Sequence, residues 1–288
     1  MSTLETTFEE HRPELARLAY RMLGTLSDAD DVLQEAYLRW SRVDPAEVQS
    51  PRAYLHSIVT RLCIDQRRQV EARKEKYTGP WLPEPIVEKQ MDASGRLETA
   101  ESISLAFLVV LERLSPVERA AYLLRRIFDF DYAEIATILD KEEASCRQLV
   151  SRAEARVHEG RPRFAADAAV AERITGAFMS AVQTGDVNGL VGLLAADAVL
   201  VSDGGGKVAA ALAPVRGADR IARFFVGILK KSLSGVELRR VEVNGQPGLA
   251  ALIGTALDSV LTFDFAEGRI IACYIVRNPD KLARVRVA

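Results

Sequence analysis

The chain has 288 residues, 48% of them hydrophobic, with 38 Lys and Arg against 40 Asp and Glu, and a mean hydropathy near zero. That length can bury more than one core, and no run approaches the eighteen apolar residues of a membrane span. A net charge of −2 excludes binding to nucleic acid by bulk charge, but the charge is uneven: 52–76 holds seven Lys/Arg against three acids, while 28–35 holds four acids and no base.

The opening MSTLETTFEEH is polar and acidic where a signal peptide would be basic and then apolar, so a cytoplasmic protein is expected. Cys63, Cys146 and Cys273 are scattered, odd in number and set in apolar patterns, which reads as buried thiols rather than disulfides or zinc ligands.

In chain order, 8–23 predicts a helix with Leu15, Leu18, Ala19, Met22 and Leu23 on one stripe and Gly24 at C′. Ser27-Asp28-Ala29-Asp30 opens a second helix. It buries Ala29, Val32, Leu33, Ala36 and Trp40 and displays Asp28, Asp31, Gln34, Glu35 and Leu38. An acidic face carrying a leucine reads as a docking surface, with a merely solvated face as the alternative. Ser50-Pro51 starts a third helix, whose second half is basic through Arg61, Arg67, Arg68, Arg73, Lys74 and Lys76, with Tyr54 and His56 interleaved. Charge with aromatics suits nucleic acid, although a lone His56 is more often a satisfied, partly buried histidine. Residues 77–99 read as a linker with prolines at 80, 83 and 85. A tryptophan in Gly79-Pro80-Trp81-Leu82-Pro83-Glu84-Pro85 marks a semi-rigid segment that docks, or else a local staple on a neighbouring helix.

Ser115-Pro116-Val117-Glu118 carries an N-cap serine, a proline at N1 and a capping-box glutamate, so a helix runs from there to about Phe128. Another starts near Asp131 and ends at Asp140, a residue type that tolerates a left-handed turn. A third follows almost at once, with Cys146, Leu149, Val150, Ala153 and Val157 on its apolar stripe. Ser145, Arg147, Gln148, Ser151 and Arg152 point away, a donor-rich face suited to a major groove. The arrangement is a helix-turn-helix. Glu142, Glu143 and Glu154 work against phosphate.

After Arg161-Pro162 the composition shifts. Two helices are read over 168–194 and another at 218–230. Strands are read at 198–202, 236–243, 249–254, 258–265 and 269–276, turning at Asn244-Gly245 and Glu267-Gly268. Helices followed by antiparallel strands imply an α+β layer pair with a curved sheet.

DADDVLQEAYLRW followed by SPRAYLHSIVTRLCIDQRR resembles domain 2 of the extracytoplasmic-function sigma factors. LSPVERAAYLLRRIFDFDYAEIATILDKEEASCRQLVSRAEARV resembles their domain 4, so the two cover 8–158. The expected organisation is multidomain: sigma domain 2 over 1–76, the linker over 77–99, sigma domain 4 over 100–160, and a cone-shaped domain over 168–288 similar to the SnoaL-like members of the NTF2 superfold. The resemblance implies that Asp28, Asp31, Gln34 and Glu35 face core RNA polymerase, and the helix pattern sets Leu38 on the same face. The resemblance places Tyr54, Arg61, Asp65 and Arg68 near the downstream promoter element, and Ser145, Arg147, Gln148, Ser151 and Arg152 on the upstream one. Separately, the basic run on the third helix leads to the expectation that Arg67 and Arg73 mainly hold phosphates. Asp140-Lys141 departs from the family's usual glycine and serine or threonine in the turn, and Glu154 from a frequent basic residue.

Trp81-Leu82-Pro83-Glu84-Pro85, Asp203-Gly204-Gly205-Gly206-Lys207 and Asn278-Pro279-Asp280-Lys281-Leu282 resemble signatures of a sigma subgroup in which such an extension is fused behind domain 4. Trp81 is expected to be buried against this domain, Lys207 to pair with Glu84, and the 278–282 segment to close over the same site. The resemblance implies that the extension both supports and restrains activity. Catalysis is not expected: His11, His56 and His158 all precede the domain, and Asp258 and Asp264 read as solvent-facing strand carboxylates. No cofactor or metal is called for. The expected partners are core RNA polymerase and promoter DNA, with no membrane. A small-molecule ligand in the C-terminal pocket is the runner-up role for that domain, and a helix-turn-helix regulator sensing such a ligand is the alternative for the whole chain.

Overall fold

The computed structural model describes residues 3–74, 77–87, 104–160, 167–231 and 235–287. It divides into two compact units, one of Met1–Glu75 with Leu108–Arg161 and one of Lys76–Phe107 with Pro162–Ala288. The first part of the linker therefore groups with the C-terminal residues. The rest of it, 88–99, the first residues expected for domain 4, 100–103, and the composition break at 161–162 lie outside the described residues.

The first unit is helical: α1 (Thr3–Leu23), α2 (Leu26–Trp40), a 3₁₀ turn (Pro45–Glu47), α3 (Pro51–Lys74), α4 (Leu105–Leu111), α5 (Pro116–Arg126), α6 (Tyr132–Leu139) and α7 (Glu143–Gly160). The unit boundary falls within α4. Helix α1 begins five residues before the expected start because Phe8 is buried and Trp40 Nε1 donates to the Leu4 carbonyl at 2.7 Å. Gly24 has φ 79°, the left-handed value expected of a C′ residue. Helix α2 begins at Leu26 behind Thr25, ahead of the Ser27 cap read from sequence. Capping boxes close Ser115 with Glu118 and Asp131 with Glu134, and Asp140 ends α6 at φ 53°. Helix α3 packs against α1, α2, α5 and α6, so it joins what the sequence presents as two modules.

The second unit holds α8 (Ala168–Thr184), α9 (Val187–Leu193), β1 (Leu194–Asp203), β2 (Val215–Arg216), α10 (Ala218–Lys231), β3 (Val236–Val243), β4 (Gln246–Ile253), β5 (Ala256–Ala266), β6 (Arg269–Val276) and α11 (Pro279–Leu282). The sheet order is β2-β1-β6-β5-β4-β3. Its apolar face, with Leu249, Leu261, Phe263 and Ile275, packs on Phe178 of α8 and Phe225 of α10. Asn244-Gly245 and Glu267-Gly268 make their turns with positive φ at both residues.

Three features depart from the sequence reading. β1 pairs with β6 in parallel, because its connection onward runs through α10 and is free of the hairpin constraint that makes β3 to β6 alternate. β1 also begins at Leu194, with a register shift before Val199. Two-residue β2 and four-residue α11 are too short to give a periodic signal, although Asn278 and Pro279 are a proper N-cap and N1 pair.

Candidate nucleic-acid interface and linker clasp

Helix α7 presents the face its sequence promised. Cys146, Leu149, Val150, Ala153 and Val157 are buried, and Ser145, Arg147, Gln148, Ser151 and Arg152 are exposed. Arg147 is held in place by an ion pair with Glu143 one turn earlier and by the Tyr132 ring, 4.3 Å from its guanidinium carbon. Glu154 pairs with Arg126 of α5, which offsets its charge on this face. Glu118 accepts from the Ser115 hydroxyl and amide and from Arg156 at 2.6 Å. Burial opposes its ionisation, but these partners outweigh it and hold the carboxyl below its usual range.

On α2, Asp31, Gln34, Glu35 and Leu38 are exposed, Leu38 at 45%. Asp28 departs from this set. It is half-buried, accepting from the Thr25 hydroxyl at 2.5 Å and from Gln66 of α3 at 2.9 Å, so it ties the start of α2 to α3.

The basic half of α3 is divided. Tyr54, Arg61, Asp65 and Arg68 are exposed, with Arg68 paired to Asp65 at 3.2 Å. Arg61 reaches the end of α6, its Nε donating to the Ile138 carbonyl at 3.2 Å, where unpaired helix carbonyls attract a cation. Arg67, expected on a phosphate, is 1% exposed and forms a fork on Glu112 at 2.9 and 3.1 Å. Arg119 meets the same carboxylate at 2.7 Å and donates to the Arg21 carbonyl, and burial lowers its pKa to about 10. Two buried cations on one acid need that acid ionised, so Arg67 is a structural residue in this arrangement. The side chain of Arg73 lies outside the described residues.

His56 is fully buried between the Phe128 and Phe130 rings, with Nδ1 donating to the Arg52 carbonyl at 2.8 Å. Burial lowers its pKa to about 4, so it is neutral at pH 7. Arg52 bridges Glu14 at 2.6 Å and the Phe128 carbonyl at 2.9 Å, adding a second tie between α3 and the α5–α6 turn.

In the second unit the three short motifs converge on one carboxylate. Asp203, at the end of β1, is 0% exposed and accepts from the Leu82 amide at 2.9 Å, the Tyr77 hydroxyl at 2.6 Å, the Gly205 amide at 3.0 Å and Lys281 Nζ at 2.7 Å. Lys281 also donates to the Leu82 carbonyl, and Asn278 Nδ2 donates to the Tyr77 oxygen at 2.8 Å. Burial, then the neighbouring Asp203 carboxylate, pushes the Tyr77 phenol up, so it stays protonated and donates. Gly205 and Gly206 have φ of 64° and 71°. A Cβ at Gly205 would sit 2.5 Å from the Asn278 side chain, and one at Gly206 3.0 Å from Thr78. Farther on, the Asn244 side chain accepts from the Ile86 amide at 3.1 Å and its own amide donates to the Ile86 carbonyl at 2.8 Å. The described linker, from Tyr77 to Val87, is thus clasped at both ends.

Two details correct the sequence reading. Leu82, at 1% exposed, is the buried apolar anchor, with Pro83, Glu84 and Pro85 also buried; Trp81 is half-buried and lies over Lys281 Nζ at 4.1 Å, as a cation–π lid. Lys207 pairs with Asp280 at 2.6 Å, where Glu84 was the expected partner. Sequence reasoning missed Tyr77, Asn244, Glu112 and Arg119. Tyr77 carried a usable signal, an aromatic at the start of the linker; the others act through partners distant in the chain.

A cavity of about 340 Å³ lies between the sheet and α8 and α10. Asp258, read as a solvent-facing strand residue, lines it and pairs with Arg277 at 2.7 Å. Among the described residues there is no cluster of His, Cys, Asp and Glu fit to hold a metal, and no helix is long and apolar enough to cross a membrane.

Residues 7–73 match the family description Sigma-70 region 2, and 104–157 match Sigma-70, region 4. ECF RNA polymerase sigma factor SigJ of Mycobacterium tuberculosis is 37% identical over 287 residues, covering 95% of this chain and 91% of the relative. The probable ECF RNA polymerase sigma factor SigI of the same species is 30% identical over 98% of this chain and 96% of that relative. The crystal structure of M. tuberculosis SigJ superposes with a TM-score of 0.78 at 34% identity, covering 96% of this chain and 98% of that one, the C-terminal α+β domain included. Such factors are not enzymes; they bind core RNA polymerase and promoter DNA to direct transcription initiation. This chain belongs to the ECF RNA polymerase sigma factors, in a form that carries an α+β domain behind region 4.

Proposed function

We propose that this sigma factor docks core polymerase through Asp31, Gln34, Glu35 and Leu38 of α2, reads the upstream promoter element with Ser145, Arg147, Gln148, Ser151 and Arg152 of α7, and engages the downstream element through Tyr54, Arg61, Asp65 and Arg68 of α3. Asp28 supports the docking face from its N-terminal end. On this reading 1–76 and 100–160 act as sigma domains 2 and 4, and the protein works in the cytoplasm, where its polymerase is.

The C-terminal domain regulates this activity by gripping the linker. The observation that carries the reading is the convergence of Leu82, Tyr77 and Lys281 on buried Asp203. Promoter elements lie more than a duplex turn apart, roughly 34–36 Å or multiples of it, whereas Arg61 and Arg52 tie α3 to α6 and the α5–α6 turn. The compact first unit is therefore a resting state, and the reach of the linker limits how far its halves separate. The test is promoter-dependent transcription with reconstituted core enzyme. Asp203→Asn should change transcript yield several-fold while core binding is retained; unchanged yield at equal occupancy refutes the linker role.

A second reading, a ligand-sensing regulator, is favoured by the C-terminal cavity alone. It converges with the first if the ligand acts through the clasp.

A further inference from the structure

The cavity and the linker clasp are built on the same two strand ends. Side chains alternate across a strand. At the end of β1, Ser202 lines the cavity while its neighbour Asp203 holds the linker. At the end of β6, Arg277 lines the cavity while its neighbour Asn278 holds Tyr77. These ends are stitched together, because the Arg277 and Asn278 amides both donate to the Asp203 carbonyl, at 2.7 and 2.9 Å. The loop after Asp203 repeats the arrangement: Gly206 abuts Thr78 of the linker, and Ala209 to Ala211 wall the cavity. Arg277 reaches into this loop by donating to the Ala209 carbonyl.

The lining states what fits. Phe178, Phe225, Leu249 and Leu261 form an apolar floor, and the partly exposed Ile228 and Ile253 flank it at 39% and 49% exposed. About 340 Å³ is at the small end of the range for ligand sites. The charged groups on the wall are Arg277 and Asp258, already paired at 2.7 Å, so the polar end is electrically balanced. An anion would have to displace Asp258 and leave it unpaired, and a cation would do the same to Arg277. On this wall Arg277 Nε is buried without a hydrogen-bond partner among the described residues. A buried donor of that kind is satisfied by a neutral oxygen acceptor.

We propose that this cavity binds a neutral, largely apolar small molecule bearing a carbonyl or hydroxyl oxygen for Arg277, and that occupancy resets the grip on the linker through Arg277 and the 203–211 loop. The coupling half rests on the reading that the linker clasp controls activity; the binding half stands without it. A ligand that draws on Arg277 pulls on the strand end that carries Asn278 and on the loop that carries Gly206. Both touch the linker, so the two sites share backbone and need no longer pathway.

The test uses the full chain with a near-isosteric probe pair, 2-acetylnaphthalene and 2-naphthoate, followed by calorimetry and by hydrogen exchange over 77–87. The neutral ketone should bind saturably, the carboxylate at least tenfold more weakly, and exchange at the Leu82 amide should change at least threefold on ketone binding. Ala211→Trp, on a partly exposed loop, should weaken the ketone at least tenfold with the fold unchanged by circular dichroism. Arg277→Met should erase the preference for the ketone over 2-methylnaphthalene. Absence of saturable binding, or equal binding of ketone and carboxylate, overturns the ligand assignment. Saturable binding with unchanged exchange over 77–87 overturns the coupling. Failure of the linker reading is separate: it is seen when Asp203→Asn speeds exchange at Leu82 and leaves transcription unaltered.

Discussion

Lys281 Nζ lies 2.7 Å from Asp203 Oδ2, with both side chains shielded from solvent, and the Leu82 amide completes the same carboxylate at 2.9 Å. A buried pair of this kind costs little while intact, because the charges offset each other's desolvation, and costs much when one member is lost. Lys281→Met should therefore destabilise the clasp by about 3–5 kcal/mol, and the double variant Lys281→Met with Asp203→Asn by less than the sum of the two single changes. Hydrogen exchange of the Leu82 amide reads this directly. Additive losses would mean the two residues act apart.

The linker's apolar anchor is Leu82 rather than Trp81. Leu82→Ala should cost about 2–5 kcal/mol of local stability. Trp81→Ala, which removes a half-buried lid over Lys281, should cost about 1–2 kcal/mol. Protease sensitivity of the full chain at the linker ranks the two, and a larger effect from Trp81 would reverse the assignment.

Acid should loosen the first unit. His56 has a folded pKa of about 4 against 6.5 when free, because burial disfavours its charged form. Above pH 6.5 it is neutral in both states. As pH falls from about 6.5 toward about 4 the unfolded chain takes up the proton first, so stability falls across that window by up to about 3 kcal/mol. Glu14, held below its ordinary range by Arg52 and His56 despite burial, adds a further loss below about pH 4.5. Thermal unfolding against pH should flatten between 6.5 and 4.5 in His56→Gln; an unchanged slope assigns the loss to other groups.

Reversal of the exposed acids on α2, Asp31→Lys with Glu35→Lys, should weaken core polymerase binding by on the order of 2 kcal/mol or more if those charges are desolvated in the complex. Asp28→Ala should act differently, lowering stability through its lost bonds to Thr25 and Gln66. Co-purification with core enzyme and thermal unfolding separate the two effects.

On α7, Arg147→Ala should cost roughly 1–3 kcal/mol on the cognate promoter and relax preference at one base position. Gln148→Ala should behave alike at a neighbouring position. Fluorescence anisotropy on cognate and scrambled duplexes distinguishes base reading from phosphate contact: equal losses on both would make Arg147 a phosphate contact. Arg67→Ala should lower stability instead, because it removes the buried two-bond fork on Glu112 and leaves that carboxylate to Arg119.

What the sequence determined by itself is what neighbours along the chain determine. Stripe, cap and turn signals act over three to seven residues, so the helix-turn-helix, the Ser115 box, the helix start near Asp131, the left-handed Asp140 and the two hairpin turns were all legible. The exposed face of α7 and that of α2 beyond Asp28 follow from the same periodicity. The three motifs that meet at the clasp could be read as fragments, since each keeps its own composition. Only the tertiary structure decided which atoms they offer one another. Leu82 and Asp203 are 121 residues apart and Tyr77 and Asn278 201, and no local propensity specifies such a pairing. Arg67 illustrates the limit: a basic helix turn reads as solvent-facing until a partner carboxylate, Glu112, arrives from 45 residues away and makes burial tolerable. Asp258 and Arg277 became a cavity wall through the antiparallel register of β5 on β6, which pairs Val260 with Val276 and so brings the carboxylate beside the guanidinium; the alternation of either strand alone does not specify this.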